Sequence, residues 1–134
     1  MKAGKEIIGN CLCGAVEFSA GLPSKWCAHC HCSMCRKHHG AGYVTWVGFD
    51  QDQVRFLRGA DCLGWYISSA GAQRGFCRQC GSSMFFRSER WAGELHIVLG
   101  SINGEIDRQP EANVFFDKHV DWMPIDDSLK KVDG

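Results

Sequence analysis

The chain lacks long hydrophobic runs, an excess of charge of one sign, and internal repeats. No stretch approaches the roughly 20 apolar residues of a membrane span, and residues 1–10 contain no apolar run of the kind found in a secretory signal. We therefore expect a cytoplasmic protein that does not bind membranes. Lys plus Arg and Asp plus Glu number 15 each, so no strong field would recruit nucleic acid. The sequence also lacks a Gly-rich phosphate-binding loop, so nothing in it indicates a nucleotide cofactor.

The rest of the composition is that of an ordinary globular protein. Apolar residues make up 45% of the 134 positions and charged residues 22%, which disfavours disorder. A chain of this length has room for one hydrophobic core. We predict a single domain over residues 5–125, followed by a peripheral tail over residues 126–134.

Cysteine is the residue present in unusual number. Four of the nine cysteines and two of the six histidines fall in residues 27–35, CAHCHCSMC. Cytoplasmic glutathione keeps thiols reduced, and an odd number of cysteines fits poorly with a framework of paired disulfides. Metal ligation is therefore the leading use of these thiols.

Two short cysteine motifs have the spacing of half a zinc site each. Cys11 and Cys13 are one residue apart, and Cys77 and Cys80 form C-x-x-C before a predicted strand. Because a tetrahedral structural zinc needs four ligands, each pair requires the other. One metal would then order two segments that are distant in the chain. A redox dithiol is disfavoured, because a helix is not predicted after the C-x-x-C.

The remaining cluster contains a triad of Cys30, Cys32 and Cys35 in a turn that leads into a helix. Catalytic zinc sites have three protein ligands and one open position, whereas structural sites have four. Five residues could supply a fourth ligand and close the site: Cys27, His29, His31, His38 and His39. An iron–sulfur cluster on Cys27 and the triad is a further alternative.

The pattern of aromatic and β-branched residues predicts a mainly β fold. Strands are expected near residues 16–18, 43–49, 54–58, 62–67, 84–86, 94–100, 113–116 and 118–122. One short helix is expected from Met34 to Gly40, capped by Ser33 and ended by the glycine. His96 is expected on the polar face of its strand, and Cys62 as a small buried residue.

Four segments together resemble the glutathione-dependent formaldehyde-activating enzyme family, which includes centromere protein V. They are GNCLCGAVEF, CHCSMCRKHHGA, GFCRQCGSSMFF, and HIVLGSI with a later Trp in KHVDW, and the resemblance runs from about Asn10 to Trp122. It implies an Mss4-like (β-tent) fold with two zinc ions per chain. It assigns one structural zinc to Cys11, Cys13, Cys77 and Cys80, and one catalytic zinc with an open position to Cys30, Cys32 and Cys35.

The same resemblance implies a carbon–sulfur lyase-like activity on a thiol adduct, with glutathione as the thiol and formaldehyde as the acceptor, giving S-hydroxymethylglutathione. Three thiolates and Zn²⁺ carry one net negative charge, which suits thiol chemistry better than water activation. Arg36, Lys37 and Arg78 flank the motifs and could pair with glutathione carboxylates, although solvated surface charges are the commoner case.

Two other functions remain open at the level of sequence. A non-catalytic zinc-binding scaffold or interaction domain could share the Mss4-like fold, since fold does not determine function. The additional triad distinguishes this chain from a scaffold with one four-cysteine zinc. A methionine sulfoxide reductase would need a nucleophilic cysteine late in the chain, and none follows Cys80.

Overall fold

Strands account for most of the regular structure in residues 5–134, the part of the chain that the computed structural model describes. The single α-helix there is seven residues long, and no helix in this range has the length and apolar character needed to cross a membrane. The predicted mainly β fold with one short helix after the cysteine cluster is confirmed. In chain order the elements are β1 Glu6–Asn10, β2 Glu17–Gly21, β3 Trp26–Cys30, α1 Ser33–His39, β4 Val44–Asp50, β5 Val54–Arg58, β6 Leu63–Ser69, β7 Ala72–Cys77, β8 Ser83–Ser88, β9 Glu94–Val98, β10 Ile102–Asn103, β11 Ala112–Val114 and β12 Lys130–Val132.

The strands form two sheets. The smaller has four strands in the order β10-β1-β2-β5, and the larger has eight in the order β12-β11-β3-β4-β9-β8-β7-β6. Neighbouring strands are antiparallel except at one end of the larger sheet, where β11 runs parallel to both β3 and β12. At the other end of this sheet, strands β6 to β9 follow one another in the chain and are joined by short connections.

The main hydrophobic core contains residues of both sheets. Phe18 of the smaller sheet meets Phe85 of the larger one edge to face, with ring centroids 5.3 Å apart. Phe49 and Ile97 of the larger sheet are completely buried in the same cluster. These side chains alternate with those on the opposite face, as the two-residue period of a strand requires.

A second apolar cluster lies on the other face of the larger sheet. It contains Cys30, Cys35, Val44 and Trp46 and is bordered by Phe86. Cys35 is the buried residue of helix α1, so the helix packs on the sheet through this cysteine. The sheet thus has apolar groups on both faces, and the helix sits over the face that carries two cysteines of the triad.

The N-cap of helix α1 lies one residue earlier than the sequence predicts. Cys32, not Ser33, is the N-cap: its backbone is extended, and its Sγ accepts a hydrogen bond from the N–H of Cys35 at 3.2 Å. Ser33 is the first helical residue. Gly40 ends the helix as predicted, because its φ of +64° is favourable for glycine.

The C-terminal part of the chain differs from one expectation and adds a strand to another segment. The strand predicted at residues 118–122 is absent, because Phe115 has a left-handed φ of +53° that ends β11 and a short 3-10 turn follows. Both edges of β11 are also occupied, by β3 and β12. Residues 126–134, predicted as a peripheral tail, contribute β12, in which Lys130 pairs with Ala112. Part of this tail is therefore the edge strand of the larger sheet.

Candidate metal centres

The first cysteine cluster joins two turns that are far apart in the chain. Cys11 and Cys13 lie between β1 and β2, whereas Cys77 ends β7 and Cys80 lies in the turn to β8. Their four Sγ atoms are within 4.8 Å of one another. The Cys11–Cys13 and Cys13–Cys77 sulfur distances are 3.7 and 3.8 Å. The structure thus brings together the two half-sites that the sequence pairs.

Backbone N–H groups point at the sulfur atoms of this first cluster. The N–H groups of Gln79 and Cys80 donate to the Sγ of Cys77 at 3.3 and 3.4 Å. The tight turn that allows this continues through Gly81 with a φ of +80°. Hydrogen bonds from Ser82 lower the pKa of the Cys80 thiol to about 5. Such donors stabilise thiolates, the form in which cysteine binds metal.

The donor set of the first cluster fits zinc. In a tetrahedron with zinc–sulfur bonds of about 2.3 Å, neighbouring sulfurs lie about 3.8 Å apart, close to the two distances given above. All nine cysteines are free, so none of these thiols is consumed by a disulfide. Four thiols at such spacing suit a closed structural site.

The second cluster consists of the triad Cys30, Cys32 and Cys35. Cys30 is the last residue of β3, Cys32 caps α1, and Cys35 lies in its first turn. The three Sγ atoms are within 4.8 Å of one another, and those of Cys30 and Cys35 are 3.5 Å apart. Three thiols at this spacing fit three positions of a tetrahedral metal ion, since zinc binds thiolate sulfur readily.

The three thiols of the second cluster differ in how readily they ionise. Hydrogen bonds from Cys30 and Cys35 hold the pKa of the Cys32 thiol far below its ordinary value. The pKa of Cys30 is raised by its hydrogen bonds with the other two thiols and by burial. Hydrogen bonds among the three sulfurs therefore favour a thiolate within this cluster.

Sequence reasoning missed Arg74, a charged residue beside the second cluster. Its side chain is only 3% exposed, and Nη1 donates to the Sγ of Cys35 at 3.5 Å. Its position in β7 places it across from Phe86, whose ring lies 4.9 Å from the guanidinium carbon. An arginine inside the strand segment AQRGFC, three positions before Cys77, is the signal by which it could have been found.

Three of the candidate fourth ligands lie on or next to β3 and face away from the triad. Cys27 is buried in the main core on the opposite face of the sheet. The Nδ1 atom of His29 is 2.8 Å from the Thr45 hydroxyl, and Nε2 of the buried His31 is 2.8 Å from Oδ1 of Asn113. None of these three side chains therefore joins the triad.

The other two candidates, His38 and His39, lie in the last turn of α1. The ring of His39 packs edge to face on Trp46 at 5.4 Å. Burial lowers the pKa of both histidines, to about 4 for His39, with a further contribution from the positive charge of Arg74. Among residues 5–134, the ligand atoms that meet at the second cluster are those of the three cysteines alone.

A polar cleft of about 700 Å³ lies beside helix α1. Val98 lines the cleft and also packs against the second cysteine cluster. The size falls within the roughly 300–1,000 Å³ usual for small-molecule sites. Polar groups on its wall include Asn10, His38, His39, Ser83, Ser101 and Asn103.

The other residues singled out in the sequence have no direct place in either cluster. Arg36, Lys37 and Arg78 form no ion pair with a carboxylate of the described chain. Cys62 is partly rather than fully buried, with its Sγ 4.0 Å from that of Cys77. It lies at the edge of the first cluster without belonging to it.

The fold and the two clusters define a mainly β protein with two cysteine-based candidate metal centres. The chain belongs to the glutathione-dependent formaldehyde-activating enzyme family, whose sequence profile matches residues 6–118. It is 31% identical over 127 residues to a Halomonas elongata protein provisionally named as such an enzyme, across 88% of this chain and 80% of the relative. It is also 32% identical over 81 residues to an uncharacterized lyase of Schizosaccharomyces pombe, across 60% of this chain and 57% of that protein.

A solved structure shares the fold. The crystal structure of a Rhodobacter sphaeroides protein superposes with a TM-score of 0.63 at 29% identity. The match covers 75% of this chain and 92% of that one. The fold of the matched part of this chain is therefore found in an experimentally determined structure.

Proposed function

We propose that this chain is a zinc-dependent carbon–sulfur lyase-like enzyme that joins glutathione and formaldehyde to give S-hydroxymethylglutathione. The observation that carries the proposal is the second cluster, where three thiols meet without a fourth ligand from the described residues. Metal sites with three protein ligands keep a position for substrate. The family membership and the names of the relatives support the choice of glutathione and formaldehyde.

The two clusters have different roles in this proposal. Cys11, Cys13, Cys77 and Cys80 hold a structural zinc that ties the β1–β2 turn to the β7–β8 turn. Cys30, Cys32 and Cys35 hold a catalytic zinc. Bound there, zinc supplies a positive charge that stabilises a substrate sulfur as a thiolate or polarises a carbonyl oxygen.

The cleft beside α1 is the proposed binding site for the body of the thiol substrate. Its wall is built from hydroxyl and amide groups, such as those of Ser101 and Asn103, that can hydrogen-bond a peptide. The neutral rings of His38 and His39 border it without adding charge. Because Val98 touches both the cleft and the second cluster, a thiol bound in the cleft could extend its sulfur toward the triad.

The proposed reaction needs no redox partner. One carbon–sulfur bond forms between the thiol sulfur and the formaldehyde carbon, and the carbonyl π bond is lost. The thiol proton is released, and the former carbonyl oxygen gains a proton to become a hydroxyl. Atoms and electrons balance between the two substrates and one product, so an oxidant, a reductant and a further cofactor are unnecessary.

Exchange NMR on mixtures of glutathione and formaldehyde tests the proposal. The adduct also forms without a catalyst, so the measured quantity is the exchange rate between free and adduct glutathione signals. Wild-type protein should accelerate this exchange, and the Cys32→Ser variant should not. Because serine can still cap α1, this variant removes a zinc ligand while preserving the helix.

A matched control comes from Cys27, which lies outside both clusters. The Cys27→Ala variant should retain two zinc ions and the wild-type exchange rate. Equal rates for wild type and Cys32→Ser, with two zinc ions in the wild type, would contradict catalysis. The chain would then be a zinc-binding scaffold of the same fold.

A further inference from the structure

Three properties of Arg74 together leave a buried positive charge without a carboxylate partner. Its side chain is 3% exposed, it forms no ion pair with a carboxylate in residues 5–134, and its Nε–H has no hydrogen-bond partner there. Arginine remains charged at physiological pH, and a buried charge is costly unless an opposite charge lies close to it. The fold must therefore supply Arg74 with an anion other than a carboxylate.

The only acidic group that Arg74 contacts in the described structure is a thiol. Its Nη1 lies 3.5 Å from the Sγ of Cys35, and Cys35 is in turn 3.5 Å from Cys30. The guanidinium is held in place by strand pairing of Arg74 with Phe86 and by the face of the Phe86 ring. The charge is thus fixed at the edge of the second cluster and is not free to swing into solvent.

We propose that Arg74 is a positioning residue of the second centre, where it balances the charge of the thiolates and orients the Cys35 sulfur. This inference rests on the zinc site proposed above. Three thiolates and Zn²⁺ carry one net negative charge, and Arg74 brings the total to neutral. A neutral centre accepts an anionic sulfur from a substrate at a lower electrostatic cost than a negative one does.

The absence of a similar cation at the first cluster fits a difference in role. Cys11, Cys13, Cys77 and Cys80 receive no hydrogen bond from an arginine or lysine of the described residues. That cluster contains the exposed Cys13 and is close to water, which screens its charge. The second cluster is more deeply buried, so its excess charge has to be offset by a protein group.

Metal binding by charge variants tests this role without relying on activity. Arg74→Met removes the charge but retains a long apolar side chain, and Arg74→Lys retains the charge without the planar fork. The control is Arg87→Met on the next strand, because Arg87 is exposed and stacks on Trp65 at 3.8 Å, away from the cysteines. Zinc stoichiometry and chelator competition give the affinity of each of the two sites.

The expected result is a selective loss at the second site. Arg74→Met should hold one zinc as tightly as wild type and the other about 10- to 100-fold more weakly, as is usual for loss of an outer-sphere partner. Arg74→Lys should recover most of that affinity, and Arg87→Met should match wild type. In cobalt-substituted protein, the sulfur-to-cobalt charge-transfer band should shift in Arg74→Met and shift less in Arg74→Lys.

Two outcomes would overturn the inference, and both differ from failure of the proposed function. Wild-type affinity and an unchanged cobalt spectrum in Arg74→Met would exclude a role for the charge. If Arg74→Met does not fold, the wild-type protein provides a second test. The side-chain ¹⁵N resonance of Arg74 should move when the more weakly bound zinc ion is removed. An unchanged resonance would also exclude a role for the charge. A wild type with two zinc ions but no effect on the glutathione–formaldehyde exchange would refute the enzyme and leave the Arg74 result intact.

Discussion

The Sγ atom of Cys32 accepts a hydrogen bond from the backbone N–H of Cys35 at 3.2 Å. One cysteine of the second cluster is therefore the N-cap of the helix that carries another. Capping of the helix therefore also brings together two of the three cysteines of the triad. The capped helix holds Cys35 at a fixed distance from Cys32 through its backbone hydrogen bonds.

Replacing Cys32 separates capping from metal ligation. Cys32→Ser and Cys32→Ala should each lose one of the two zinc ions, because neither side chain provides a thiolate. Serine can still accept the hydrogen bond, so the alanine variant should be less stable by about 1 kcal/mol. Zinc content and urea denaturation of both variants measure the two effects, and equal stability would show that a side-chain cap at position 32 does not stabilise the helix.

Replacing Cys77 should abolish the fold rather than a single function. Its sulfur is completely buried and lies 3.8 Å from that of Cys13, which is 64 positions away in the chain. A structural zinc contributes about 10–16 kcal/mol in small metal-dependent domains, comparable with the whole stability of a domain of this size. Cys77→Ser should therefore lose the cooperative thermal transition seen by circular dichroism.

The neighbouring Cys62 provides the control for that experiment. It is 4.0 Å from Cys77 but outside the four-sulfur group. Cys62→Ala should keep two zinc ions and a cooperative transition. A folded Cys77→Ser protein, or a metal-depleted Cys62→Ala protein, would show that the ligand set of the first centre is assigned incorrectly.

Stability should fall as the solution becomes acidic, in part because of His96. Contrary to the expectation of a polar strand face, this side chain is 5% exposed, and its Nε2 is 2.9 Å from Oε1 of Glu94. Burial lowers the pKa of His96, although Glu94 opposes the shift and Lys25, which pairs with Glu94, reinforces it. Below the ordinary histidine pKa of about 6.5, the unfolded chain binds a proton that the folded chain does not. Stability is therefore full above that pH and declines below it.

The His96→Gln variant isolates this contribution. Glutamine can donate to Glu94 but does not titrate. The free energy of unfolding, measured in urea between pH 7.5 and pH 5, should therefore fall less steeply in the variant than in wild type. One proton accounts for at most about 1.4 kcal/mol per pH unit, and identical slopes would mean that His96 becomes protonated in the folded protein as easily as in the unfolded one.

Gly48 is required by the position of Trp26. The two residues are paired across β3 and β4, and a Cβ on Gly48 would lie 2.3 Å from two atoms of the indole. Gly48→Ala should therefore destabilise the fold by about 1–3 kcal/mol through overpacking. Gly100→Ala is the matched control, since the nearest atom to its added Cβ would be 4.0 Å away. Thermal denaturation should distinguish the variants, and equal melting temperatures would mean that Trp26 moves aside without cost.

Short-range patterns in the sequence predicted much of the fold and of the two candidate metal centres. The C-x-C and C-x-x-C motifs predicted which four cysteines meet, because two ligands cannot complete a tetrahedral site. Gly40 predicted the end of the helix through its backbone freedom. The prediction of a strand at residues 118–122 was wrong. The residue types there suit a strand, but the chain turns at Phe115 and β11 has no free edge with which another strand could pair.

By itself, the sequence determined the mainly β class, the helix after the cysteine cluster and the grouping of seven cysteines into a four and a three. These follow from local spacing, which sets what a short segment can adopt or bind. Only the tertiary structure decided which way side chains point across β3, separating Cys27, His29 and His31 from the triad. It alone placed Arg74 of β7 against Cys35 of α1, because contacts between distant segments depend on the packing of sheet and helix and not on the spacing of residues along the chain.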